Sequence, residues 1–165
     1  MIAATTYPVC FSHVGITVPD LNKAISFFTS AMGWYYVSGP IHVEENGVGG
    51  LSEIGKKIYG TGWGAFSFAH LVSADGIGFE MFEFKNNPFQ TSQNNPFVTS
   101  IHHFCIQDPH IEERVERIVH FGGKQKTGIM PLDPTGVKPY KMVYMEDPFG
   151  NLIEIYTHSY IQHNQ

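Results

Sequence analysis

Two stretches of the chain share one pattern of apolar and polar positions, and the first is FSHVGITVPDLNKAISFFTSAMG. In it Val14, Ile16 and Val18 alternate with His13, Gly15 and Thr17, which is the period of a strand with two distinct faces. Leu21, Ala24, Ile25, Phe28, Ala31 and Met32 then recur at helical spacing and predict an amphipathic helix that stops at Gly33. The second stretch, SIHHFCIQDPHIEERVERIVHFGG, lies 90 residues on and aligns without a gap, so that His103 falls on His13, Pro109 on Pro19 and Gly123 on Gly33. Phe104 and Ile106 oppose His103 and Cys105 in the same phase. Ile111, Val115, Ile118 and Val119 form the apolar stripe of a second helix, with Asp108 placed to cap it and Pro109 suited to its first turn.

The ends of the two halves also match. SADGIGFEMFEF and EDPFGNLIEIYTH each place a turn before an apolar strand, with Asp75 and Gly76 in one turn and Asp147, Pro148 and Gly150 in the other. Four residues on from Gly76 stands Glu80, and four on from Gly150 stands Glu154, which favours Glu80 over Glu83 as the repeated carboxylate. Further strands are expected at 34–39, 64–72, 124–128 and 140–146. Strand, helix and three strands, twice over, make an α+β chain. Residues 41–62 are glycine-rich and read as a surface loop or lid rather than one regular element. The expected layout is a first module over 1–85, a polar linker over 86–97 and a second module over 98–165, sharing one structural domain.

Charge narrows the function. The 165 residues carry a formal net charge of −5 without any Lys/Arg run, which argues against a nucleic-acid or anionic-membrane surface. The two arginines, Arg114 and Arg117, both fall in the second predicted helix. Cys10 and Cys105 have no paired metal spacing and suggest a reducing compartment. No basic region with an apolar run opens the sequence, and no stretch is long enough to span a bilayer, so a cytoplasmic protein is expected.

A carboxylate in a strand as apolar as GFEMFEF or NLIEIYT is costly to bury without a charge partner. A lone Glu there can sit at an exposed edge, and a lone His can be a satisfied core residue. Two of each at repeat-equivalent positions is a different matter. A pseudo-twofold between the halves would bring His13, Glu80, His103 and Glu154 to one point, with nitrogen and oxygen donors suited to a divalent transition metal.

The string HVGITVPDLNKAISFFTSAMGW resembles the opening of vicinal oxygen chelate proteins, and MVYMEDPFGNLIEIY resembles their closing strand pair. The likeness covers nearly the whole chain and is closest to glyoxalase I-like (lactoylglutathione lyase-like) members. It implies two tandem βαβββ modules whose curved sheets enclose a metal, held in glyoxalase I by His, Glu, His and Glu in this order. His13, Glu80, His103 and Glu154 match in turn. The resemblance further implies one divalent ion per site (Ni, Zn, Co, Mn or Fe), a homodimer, and a lyase or isomerase working through an enediolate on a small α-hydroxycarbonyl or hemithioacetal. Glu154 is expected to be the base and Glu80 its partner.

Two positions depart from that pattern. Bacterial glyoxalase I commonly carries arginine four residues after the first ligand, where Thr17 stands here, and asparagine four after the first glutamate, where Phe84 stands. The usual grips for glutathione are therefore missing. Thr17, Phe82, Phe84, Tyr156 and His70 are the expected substrate-pocket residues, suiting a more apolar substrate, while His102 is expected on the opposite face from His103. Alternatives on the same scaffold are an epimerase, an extradiol dioxygenase using only His13, His103 and Glu154, and a non-catalytic small-molecule binder.

Overall fold

The computed structural model describes residues 8–86, 99–133 and 135–163. The expected linker at 86–97 therefore lies, beyond Asn86, outside the described residues. The elements run in the order β1 (His13–Thr17), α1 (Leu21–Ala31), β2 (Tyr35–Glu44), α2 (Gly50–Tyr59), β3 (Ala65–Val72), β4 (Gly78–Phe84), β5 (Phe104–Gln107), α3 (Ile111–His120), β6 (Lys124–Gln125), β7 (Met130–Pro131), β8 (Lys141–Glu146), β9 (Leu152–Tyr156) and α4 (Tyr160–His163). The fold is α+β with two sheets, in agreement with the βαβββ modules expected from the repeat.

The chain divides into two compact units. The first holds β1, β2, α2, β3 and β4, with strand order β1-β4-β3-β2, and β1 pairs parallel to β4. Alternation along its strands sorts the side chains: Ala69, Leu71, Phe79 and Met81 are buried on one face, while His70, Glu80, Phe82 and Phe84 share the other. Full burial of such an apolar side chain contributes roughly 1.5–3 kcal/mol.

Residues 41–62 differ from the loop expected of them. Strand β2 runs on to Glu44 and α2 occupies half of what remains. Glycine content suggested irregular backbone, yet Gly55 lies inside the helix because Trp63 packs against it. A Cβ there would stand 2.9 Å from Trp63 Cζ2. Ser52, the other buried residue of α2, donates to Glu44 O at 2.8 Å and ties the helix to the end of β2. Trp63 in turn belongs to a cluster with Val43, Phe66 and Phe68.

The second unit holds β5 through α4, with strand order β5-β9-β8-β6 and β5 parallel to β9. Its centre is the fully buried set Val143, Met145, Ile153 and Ile155, whose alternation leaves Tyr144, Glu154 and Tyr156 on the opposite face. Residues 22–33, the body of α1, group with this unit. Phe28 lies 6.5 Å from the Phe104 ring, and Arg114 and Arg117 donate to the last carbonyls of α1, at Ala31 and Ser30. Positive side chains at a helix C-terminus complement its dipole, so both arginines have structural work. Helix α3 buries Ile111, Val115 and Ile118, whereas Val119, expected in the stripe, is half exposed. The helix begins at Ile111, two residues later than a cap at Asp108 and a first turn at Pro109 predict. Asp108 accepts from His110 N and pairs with Arg114 Nε at 2.6 Å.

Candidate metal centre

Strand register decides which side chains meet. In the first unit Glu80 is flanked by Gly15 on β1 and His70 on β3; in the second, Glu154 is flanked by Cys105 on β5 and Tyr144 on β8. His13 and His103 each stand two residues ahead of that flanking position, on the same strand phase. The tight turns before the last strand of each unit set this register. In the second, Asp147 Oδ1 accepts from Phe149 N at 2.9 Å and Asn151 N at 2.8 Å, and Gly150 takes the positive φ of 94° that closes the turn. Glu83, one phase away from Glu80, is used differently: it accepts from Leu21 N at 3.1 Å, at the start of α1.

The four repeated residues come together two by two, each pair inside one unit. His13 Nε2 is 3.9 Å from Glu80 Oε2, and His103 Nε2 is 3.0 Å from Glu154 Oε2. The other ring nitrogen of each histidine meets the residue just before it. Ser12 Oγ is 3.3 Å from His13 Nδ1, and His102 Nδ1 is 2.8 Å from His103 Nδ1. A partner on the second nitrogen fixes tautomer and ring orientation in metal-ligating histidines. His102, which strand alternation assigned to the other face, thus meets the candidate ligand His103; the contact forms just ahead of β5, where the alternation has not begun.

His70, expected as a pocket residue, reaches Glu80: its Nε2 is 3.2 Å from Glu80 Oε1, and its Nδ1 is 3.0 Å from Ser38 Oγ. Ser38 escaped the sequence reading because only the pairing of β2 with β3 brings it to His70. Beside Glu80 the same face turns aromatic. Phe82 stacks on Phe68 with centroids 5.5 Å apart and planes 7° from parallel, and Phe84 meets Tyr59 and Phe66 at 5.3 and 5.4 Å. Thr17, at the exposed end of β1, pairs in register with Phe82.

Glu154 is the most buried polar member of the set, with its side chain 7% exposed against 25% for Glu80. Burial, joined by hydrogen bonding to Glu154 and the charge of that carboxylate, pushes the Tyr144 and Tyr156 hydroxyls up to about 12. Both hydroxyls therefore stay protonated and donate toward the carboxylate.

The donor set fits a divalent cation. Neutral imidazole and carboxylate suit borderline transition metals, and among the described residues no Lys or Arg pairs with Glu80 or Glu154. A buried carboxylate so placed is costly without a counter-charge. Among the described residues no three His, Cys, Asp or Glu side chains form a metal-holding group.

The family model of the glyoxalase/bleomycin resistance protein/dioxygenase superfamily matches residues 11–155. Among solved structures, a glyoxalase family protein from Bacillus cereus is 22% identical, covers 93% of this chain and 96% of its own, and superposes with a TM-score of 0.74. The fosfomycin resistance protein FosX from Listeria monocytogenes, as a mutant complexed with Mn(II) and 1S,2S-dihydroxypropylphosphonic acid, is 16% identical over 96% of this chain and 100% of its own, at a TM-score of 0.59. A glyoxalase family protein from Enterococcus faecalis is 18% identical over 88% and 95%, at 0.60. No curated protein sequence matches the chain.

Proposed function

The chain belongs to the glyoxalase/bleomycin resistance protein/dioxygenase superfamily, and from that premise we propose that it is a divalent-metal-dependent lyase or isomerase of the glyoxalase I type. Its substrate is a small α-hydroxycarbonyl compound or hemithioacetal, in which a proton moves between adjacent carbons. The observation that carries the reading is the twice-repeated imidazole–carboxylate pair, His13 with Glu80 and His103 with Glu154. His13, Glu80, His103 and Glu154 are the metal ligands in this reading, and the metal is Ni, Zn, Co, Mn or Fe. Mn(II) in the FosX complex, on the same fold, supports a metal of this class.

When bound, the metal would supply Lewis acidity that makes the C–H bond beside the substrate's oxygens more acidic. The protein does the rest. Glu154 takes the proton: it is shielded from water and receives hydroxyl hydrogen bonds from Tyr144 and Tyr156, which hold the carboxylate in place. His102 and Ser12 keep the two ligand imidazoles oriented. Glu80 is the second carboxylate of the proton transfer. The aromatic face of Phe68, Phe82 and Phe84, with Thr17 at its rim, receives the substrate's non-reacting part by apolar contact rather than by charge.

We place the protein in the cytoplasm as a homodimer, acting on small molecules rather than on nucleic acid or membranes; among the described residues no helix is long and apolar enough to cross a bilayer. The test is solvent exchange in heavy water. Metal-loaded protein should exchange the carbon-bound hydrogen of at least one compound in a panel of α-hydroxyketones and hemithioacetals, and Glu154→Gln should not. A loaded protein that exchanges none contradicts the assignment.

A further inference from the structure

We propose that Ser38 and His70 are positioning residues that work in series on Glu80 and reserve one of its two oxygens for the metal, an inference that rests on the metal reading above. The three side chains lie in one cross-strand row, because Ser38 pairs with His70 across β2 and β3, and His70 pairs with Glu80 across β3 and β4. Within that row Ser38 Oγ is 3.0 Å from His70 Nδ1, and His70 Nε2 is 3.2 Å from Glu80 Oε1. The remaining oxygen, Oε2, is the one that faces His13.

The chemistry of the groups sets the direction of the relay. A neutral imidazole has one donor nitrogen and one acceptor nitrogen, an ionised carboxylate only accepts, and a hydroxyl can do either. Nε2 faces a carboxylate and so must carry the proton. Nδ1 is then the acceptor, and the Ser38 hydroxyl is its donor. Ser38 thereby locks His70 as the Nε2–H tautomer, and His70 holds Glu80 Oε1 while Oε2 points to the ligand position. At the position of His70 the second unit carries Tyr144, which offers one hydroxyl in place of two ring nitrogens.

The relay is read first in the metal-free wild-type protein, by long-range ¹H–¹⁵N NMR of the His70 ring at about pH 8. A single Nε2–H tautomer is expected in wild type, and a mixed population in Ser38→Ala. A His70 ring found as the Nδ1–H form, or unchanged by Ser38→Ala, overturns the proposal. Competition titration with Zn(II) gives the second reading. His70→Phe should bind the metal roughly 10–100-fold more weakly, as loss of an orienting partner does, and His70→Gln, which keeps an N–H donor, should recover most of that loss. Equal affinity for wild type and His70→Phe overturns the relay. Wild type that binds no metal at all overturns the functional reading instead and leaves the tautomer result to stand by itself.

Discussion

His103 Nε2 stands 3.0 Å from a Glu154 carboxylate whose side chain is only 7% exposed, while the equivalent pair in the other unit, His13 and Glu80, is separated by 3.9 Å and far more open. The repeat is therefore chemically unequal. The closed carboxylate suits proton transfer and the open one suits metal binding and exchange with water. Replacing Glu154 by Gln keeps its size and removes the proton acceptor, so kcat at matched metal occupancy should fall by roughly 10²–10⁴-fold. Glu80→Gln should cost less. A Glu154→Gln enzyme that keeps more than about half of wild-type kcat would remove Glu154 as the base.

Glutathione should be a poor thiol carrier. Thr17 and Phe84 stand where charge-holding side chains would grip the peptide, and both arginines are occupied at the end of α1. With methylglyoxal and glutathione, kcat/KM should stay well below roughly 10⁷ M⁻¹s⁻¹, and a value at or above that figure would restore the ordinary glyoxalase assignment.

Helix α2 owes its seat to the contact between Gly55 and Trp63. Gly55→Val drives a branched side chain into the indole and should lower unfolding free energy by about 1–3 kcal/mol in a urea titration. Ile54→Ser, one residue away on the exposed side of the same helix, should stay within about 0.5 kcal/mol. Equal effects at the two positions would mean that α2 is not anchored there.

Asp147 gives a pH test of the hairpin that sets the Glu154 register. Burial raises its carboxyl above the usual aspartate value, partly opposed by hydrogen bonds from Asn151, Phe149 and Gly150. A group whose folded-state value is raised stabilises fully below the unfolded value, about 3.9, and loses that contribution as pH rises through the folded one. Asp147→Asn has no such loss. The difference in Tm, variant minus wild type, should therefore become more favourable to the variant from about pH 4 to pH 7; a difference that moves the other way would show that the hydrogen bonds outweigh burial.

The sequence made the repeat and both sheets legible, because alternation and helical spacing are local signals and both copies carry them. Counting from the turn glycines puts Glu80 and Glu154 at equivalent register positions, because Gly76 and Gly150 close turns at positive φ and so fix the strand phase that follows. What failed were features set by packing. Gly55 looked like a loop residue until Trp63 explained it, and Phe27 rather than Ile25 turned out to be buried on α1. Ser38 and His102 carry no periodic signature at all, since one is placed by cross-strand register and the other by a contact between neighbours ahead of a strand.

Metal content tests the central claim most directly. Protein stripped with chelator and reloaded with Zn, Ni, Co, Mn or Fe should hold a divalent ion, since each unit supplies an imidazole–carboxylate pair. Affinity should drop in acid, because the ligands must release protons to bind. His13→Ala and His103→Ala should each abolish tight binding. Less than about one-tenth of an ion per chain in wild type, or His13→Ala and His103→Ala retaining wild-type occupancy, would contradict a metal held by these residues.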